Sequence, residues 1–244
     1  MPAYRLDVSY DGTDFHGYAR QAGLRTVQEV LEGALATVIG PVETVVAGRT
    51  DAGVHAAHQV ISFATEEGVD PSRLVGRLAK LLPPDVAVQD FVEVPPEFNA
   101  RFDAVSRTYR YMVYNRAVAD PLLRRTSWHV PTPLDIEEMR KASAHFVGRH
   151  DFASLCRRAE GRSSVRTVLA ASWDEPSDGV LTFEVEGESF CHQMVRSMVA
   201  LAIEAGRGKV APHEVPAILE ARDRNAAKGA APARGLILWA VSYG

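Results

Sequence analysis

What most restricts the fold of this chain is that its hydrophobic periodicity changes in a set order, and then repeats that order. Tyr4 to Tyr10 alternates apolar and polar side chains at period two and stops at Asp11-Gly12, as a strand ending in a turn does. Thr26 with Glu29 matches a capping box, and Val27, Val30, Leu31, Ala34, Leu35 and Val38 keep one apolar stripe until Gly40-Pro41, which predicts a helix. Val42 to Ala47 and Gln59 to Ala64 read as strands flanking a Gly-containing segment. Asp70-Pro71 opens a second helix through Leu74, Val75, Leu78, Leu81 and Leu82, Pro83-Pro84 stops it, and Val86 to Val94 returns as a strand. Strand, helix, strand, strand, helix, strand is the split βαβ order of a ferredoxin-like unit.

The order recurs downstream. Thr108 to Asn115 reads as a strand, and Asp135 with Glu138 caps a helix carrying Ile136, Met139, Ser143, Phe146 and Val147. Val165 to Trp173 and Val180 to Glu186 form a hairpin turning through Glu175 to Gly179. His192 to Ala205 supplies the second helix, a short helix over Pro212 to Arg222 is inserted, and Leu236 to Tyr243 is the last strand. The fold class expected is α+β, two ferredoxin-like (βαββαβ) domains with antiparallel sheets and an active-site cleft between them, where ligand sites often lie. Residues 1–104 form the N-terminal domain and 105–244 the C-terminal one, sizes within the usual range for single cores.

Charge is uneven. The net charge of −4 argues mildly against a nucleic-acid partner, but residues 101 to 166 hold 13 Arg and Lys against 7 Asp and Glu. Arginine accounts for 23 of the 27 basic residues, and its planar fork suits phosphates and stacked bases. No apolar run long enough to span a bilayer occurs and the start lacks a secretory layout, so no membrane partner and a cytoplasmic location are expected. Cys156 and Cys191, the only cysteines, read as buried small hydrophobes, since two distant cysteines make neither a disulfide framework nor a zinc motif.

Chemistry concentrates in Gly48-Arg49-Thr50-Asp51-Ala52-Gly53-Val54-His55-Ala56, between two predicted strands. Three readings of these residues stay open. One is a tight turn in which Gly48 and Gly53 supply positive φ and Asp51 bonds to its own backbone. Another is a metal site of Asp51, His55 and His58, although that spacing matches no recognised template. The last is an ionised Asp51 acting as nucleophile or base, held charged by a neighbouring arginine.

The same segment, with Gln59-Val60, resembles the signature of the tRNA pseudouridine synthase A (TruA-type) family. Further matching blocks follow in order: Tyr10 to Gly17, Thr26-Val27-Gln28, Phe98 to Phe102, Arg107 to Tyr111, His150 to Ser154, Met194-Val195-Arg196 and Gly235-Leu236. The chain departs from the pattern at Tyr18-Ala19-Arg20, where Trp-Gln is common, and at Cys191-His192-Gln193. The resemblance implies an isomerase that turns uridine into pseudouridine at positions 38, 39 and 40 of the tRNA anticodon stem-loop, with no cofactor and no metal. It implies that Asp51 is catalytic and that Arg196 pairs with it across the cleft. Arg49 would orient the RNA, and Tyr109 and Leu236 would flank a base taken out of its stack. It further implies a homodimer, with basic surface meeting phosphates through Arg157, Arg158, Arg162 and Arg166.

Two rivals make different demands. A non-catalytic RNA-binding protein of paired RRM-like modules gives Asp51 no role, and the expected aromatic RNP1 run is absent. A metal-dependent hydrolase needs Asp51, His55 and His58 to converge on one ion.

Overall fold

The computed structural model describes residues 1–66, 68–157, 161, 163–174 and 176–244. Two compact units emerge, Met1–Arg107 with Ile237–Gly244, and Thr108–Leu236.

The first unit runs β1 (Ala3–Tyr10), α1 (Val27–Ile39), β2 (Val45–Val46), β3 (His55–Ala64), α2 (Pro71–Leu81) and β4 (Val86–Val94), the predicted order. β1 lies between β4 and β3, antiparallel to both, and β2 adds antiparallel to β3, giving the ferredoxin-like order β4-β1-β3-β2. The alternation in β1 explains its central place: Tyr4, Leu6, Val8 and Tyr10 are all buried. They share the core with Leu31 and Leu35 of α1, Leu74 and Leu78 of α2, and Ile61 and Phe63 of β3, and the Tyr4 ring stacks on Phe91 at 4.9 Å. Each such side chain contributes roughly 1.5–3 kcal/mol by leaving water. Thr26 caps α1 by accepting from Glu29 N–H at 3.4 Å, and Gly40 ends it with φ 85°.

Two boundaries differ from expectation. β2 is two residues long where Val42 to Ala47 was expected, and β3 begins at His55, four residues before Gln59. The early start of β3 follows from its partners. Ala56 pairs with Tyr10, and His55 and Ala56 pair parallel with Ile237 and Leu238 of the last strand described below. Sequence-local alternation carries no trace of a partner that arrives some 180 residues later.

The second unit takes up most of β5 (Ala104–Tyr114), then β6 (Trp128–His129), α3 (Ile136–Ala144), β7 (Gly148–Asp151), β8 (Val165–Trp173), β9 (Val180–Gly187), α4 (Met194–Gly206) and α5 (Val215–Glu220). Its strands lie in the order β5-β9-β8-β7, with β6 alongside β5. Asp135 caps α3 by accepting from Glu137 and Glu138 N–H at 2.9 and 3.1 Å. Trp173 of β8 donates to Ser143 Oγ of α3 at 3.0 Å inside the core. α4 is buried along most of its length, Met194, Met198, Leu201 and Ile203 included. The strand β7 was not predicted, because Gly148-Arg149-His150-Asp151 contains no apolar residue to alternate.

The final strand, β10 (Leu236–Tyr243), was expected to close the second repeat, and residues Ile237–Gly244 gather with the first unit. There Tyr243 donates from its hydroxyl to Ala100 O at 2.7 Å, and Arg5 lies over the Tyr243 ring. The reading of the two cysteines needs correction. Cys156 and Cys191, 35 residues apart in sequence, are joined as a disulfide with Cα atoms 5.7 Å apart, the loop after β7 meeting the turn before α4. Nothing in the spacing of two cysteines announces such a pair, because their approach is a product of the fold.

Candidate active site

Asp51 lies in the loop between β2 and β3, which the backbone holds at several points. Ala47 N–H donates to Val60 O at 2.9 Å, Tyr18 N–H to Thr50 O at 3.0 Å, Gly53 N–H to Phe15 O at 3.3 Å, and Val54 N–H back to Asp51 O at 3.1 Å. The last of these closes a tight turn around Asp51, and Gly53 takes φ 76° there, whereas Gly48 does not adopt positive φ. Two glycines of the preceding loop let it press against this turn. A side-chain carbon on Gly12 would sit 1.9 Å from Val54 O, and one on Gly17, which has φ 91°, would meet Thr50 O at 3.0 Å. The segment Tyr10 to Gly17 therefore acts as a wall for the Asp51 turn.

The side chains sort by exposure. Arg49 is exposed, Thr50 buried, and Asp51 half-buried, so the carboxylate is neither fully in water nor sealed in the core. Beneath the loop, Gln59 of β3 is fully buried and grips Gly48 twice, donating from Nε2 to Gly48 O at 2.7 Å and accepting from Gly48 N–H at 3.4 Å. Its Nε2 also donates to the Tyr10 hydroxyl at 3.2 Å, and that hydroxyl lies 2.8 Å from Thr50 Oγ1. Burial pushes the Tyr10 phenol up to about 12, against the pull of its bonds to Thr50 and Gln59, so it stays neutral. Arg107 approaches from β5, 9% exposed, and donates to Ala47 O at 3.0 Å, Arg101 O at 2.7 Å and Ala104 O at 3.0 Å.

The proposed metal set does not assemble. His58 Nε2 bonds Asp7 Oδ2 at 2.8 Å, and Asp7 is also held by a two-pronged bond from Arg5. His55 Nδ1 accepts from Gly12 N–H at 3.1 Å and lies 3.0 Å from Asp11 Oδ1. The two histidines thus turn to different carboxylates, and among the described residues no group of three potential ligands converges. The hydrolase reading of Asp51, His55 and His58 is corrected accordingly.

In the second unit, Tyr109 on β5 is 8% exposed and meets the Phe190 ring edge-on at 5.2 Å. Arg196, in the first turn of α4, is half-buried and donates from Nε to Ala231 O at 2.7 Å. Leu236 is buried and follows the helical turn Ala233–Gly235. Of the four arginines expected at phosphates, Arg157 is exposed, while Arg166 is half-buried with Nη1 on Ser163 O and Val165 O. Arg158 and Arg162 lie outside the described residues.

Tyr10 and Gln59 were read as strand residues and Arg107 as part of a matching block, but none of the three was given a role at the site from sequence. Gln59 carried one usable signal, an amide standing beside the apolar run Val60-Ile61 where burial is expected, since buried polar groups must find partners.

A family model described as tRNA pseudouridine synthase matches residues 8–103 and 142–244. The tRNA pseudouridine synthase A of Leifsonia xyli subsp. xyli (strain CTCB07) is 43% identical, over 98% of this chain and 91% of that protein. That of Bacillus subtilis (strain 168) is 42% identical over 98% of both chains, and that of Acetivibrio thermocellus 40% identical over the whole of both.

Proposed function

This chain belongs to the tRNA pseudouridine synthase family of isomerases, and from that premise we propose that it converts uridine to pseudouridine at positions 38, 39 and 40 of the tRNA anticodon stem-loop. The reaction breaks the bond from N1 to ribose C1′, turns the freed uracil, and joins C5 to C1′. Atoms and electrons balance within the substrate, so the chemistry calls for no redox partner and no cofactor.

Asp51 supplies the nucleophilic carboxylate in this reading. The observation that carries it is the half-buried Asp51 at the start of a turn whose backbone is bound on both sides, within the block that matches the family. A carboxylate fixed in that way loses little freedom when substrate arrives, which is how positioning lowers a barrier. Arg196 pairs with Asp51, Arg49 meets the RNA from its exposed position, and Tyr109 and Leu236 flank the flipped base. Residues 1–104 carry the catalytic loop and 105–244 complete the cleft. The enzyme works as a cytoplasmic homodimer, with Arg157, Arg158, Arg162 and Arg166 on the phosphates.

The test is direct. The protein and its Asp51→Asn variant are incubated with unmodified tRNA, and pseudouridine is mapped by carbodiimide-dependent primer stops. Stops at positions 38 to 40 with wild type and none with Asp51→Asn support the proposal; activity surviving in Asp51→Asn refutes the role of Asp51. For Arg196→Ala, turnover falls steeply while tRNA binding is kept, and equal loss of both moves Arg196 to the RNA-binding set.

A further inference from the structure

We infer that Gln59 and Tyr10 are positioning residues that set the place of Asp51 through two separate holds on the loop, one at Gly48 and one at Thr50. The inference rests on the functional reading above and concerns side chains to which that reading gives no part.

The geometry begins with an irregularity in the sheet. Val8 of β1 pairs with Gln59 and Tyr10 with Ala56, three steps along β3 against two along β1. Such a bulge re-aims side chains, and here Gln59 and Ala56 are both buried beside Val8 and Tyr10. Gln59 then bonds both the N–H and the C=O of Gly48, as a neighbouring strand would, so a side chain continues the ladder where β2 has stopped. This double grip fixes which end of the amide is which, because Gly48 O needs a donor and Gly48 N–H an acceptor.

The second hold follows from the first. Gln59 Nε2 donates to the Tyr10 oxygen, so the phenol hydrogen is left for Thr50 Oγ1 at 2.8 Å, and the order of donation runs Gln59 to Tyr10 to Thr50. Tyr10 and Thr50 are both buried, and the phenol stays protonated through ordinary assay conditions because burial raises its titration. Gly48 and Thr50 flank Arg49, and Asp51 is next in the chain. Two bonded positions on one side of a four-residue stretch leave the following carboxylate little room to wander.

A simple folding role predicts loss of stability without a specific loss of rate. The positioning role predicts more. Tyr10→Phe removes one oxygen and keeps the ring, and Thr50→Val removes the acceptor with little change of shape. Each is expected to lower the single-turnover rate of pseudouridine formation about tenfold, the rate equivalent of one neutral hydrogen bond. The tRNA Kd is expected to stay within about twofold, and the double variant to be no slower than Tyr10→Phe alone, since that variant has already lost the bond to Thr50. Hydrogen exchange of the 48–55 segment in the free protein rises in both, an arm that needs no activity.

Wild-type rates in Tyr10→Phe overturn the proposal, as do fully additive losses or a loss carried entirely by Kd. Unchanged exchange over 48–55 overturns it as well. A wild-type protein that makes no pseudouridine refutes the functional reading instead, and the exchange arm then still decides whether the hold at Thr50 exists.

Discussion

Replacing Arg107 by alanine tests whether the entry to the Asp51 loop is held by this side chain. The guanidinium is 9% exposed and serves three backbone carbonyls, Ala47 at 3.0 Å, Arg101 at 2.7 Å and Ala104 at 3.0 Å. Truncation leaves the buried Ala47 carbonyl short of a donor, at roughly 1–3 kcal/mol, and takes one bond each from the part-buried Arg101 and Ala104 carbonyls, at about 1 kcal/mol each. Water entering the vacated space recovers part of that, and burying the cation had its own cost, so the net loss is about 3 kcal/mol. With a urea slope of about 3 kcal/mol/M for a chain of this size, the unfolding midpoint falls by about 1 M at unchanged slope. Arg107→Lys keeps the charge but not the fork, and falls between the two. Because Ala47 opens the loop to Asp51, the remaining folded Arg107→Ala also turns over more slowly at saturating tRNA. A midpoint within about 0.2 M of wild type refutes the reasoning, since the three carbonyls would then have found other partners at no cost.

Other perturbations read other parts of the structure. Gly17→Ala forces an L side chain into φ 91° with its carbon 3.0 Å from Thr50 O, at about 2 kcal/mol, and lowers Tm by roughly 4–8 °C; an unchanged Tm means the turn yields freely. Tyr10, raised in the fold to about 12, stays protonated there while the unfolded phenol ionises near 10, so stability falls as pH climbs between those values. Tyr10→Phe removes that part of the decline, and identical high-pH stability slopes for variant and wild type exclude it. Protein purified without reductant shows no titratable thiol in denaturant and two after reduction, and reduction costs about 4 kcal/mol on the 35-residue separation of Cys156 and Cys191; two free thiols at the outset refute the pairing. Asp135→Ala removes the cap from α3 and costs about 1 kcal/mol in urea unfolding, while Asp135→Asn costs a few tenths.

The contrast between what was legible in the sequence and what was not follows the range of the interactions. β4 and β8 matched residue for residue, and α1, α3 and α4 began within two residues of their predicted starts, because periodicity and caps such as Thr26 and Asp135 act over three or four residues. α3 stops at Ala144, short of the predicted Phe146 and Val147, yet Phe146 is buried beyond the helix end, so its apolar character was read correctly and its secondary structure was not. Asp51 stood out as a candidate because its motif is contiguous. Its supports were not: Tyr10 stands 41 residues before it and Arg107 56 after, Gln59 reaches the loop only through the β3 bulge, and Cys156 meets Cys191 across 35 residues. The metal reading failed for the same reason, since a short spacing in sequence placed His55 and His58 near Asp51 on paper while Asp11 and Asp7 claimed them in the fold. A contiguous motif therefore points to the candidate residue, and the side chains that hold its loop become legible only once Tyr10 of β1, Gln59 of β3 and the Arg107 guanidinium have been brought to it.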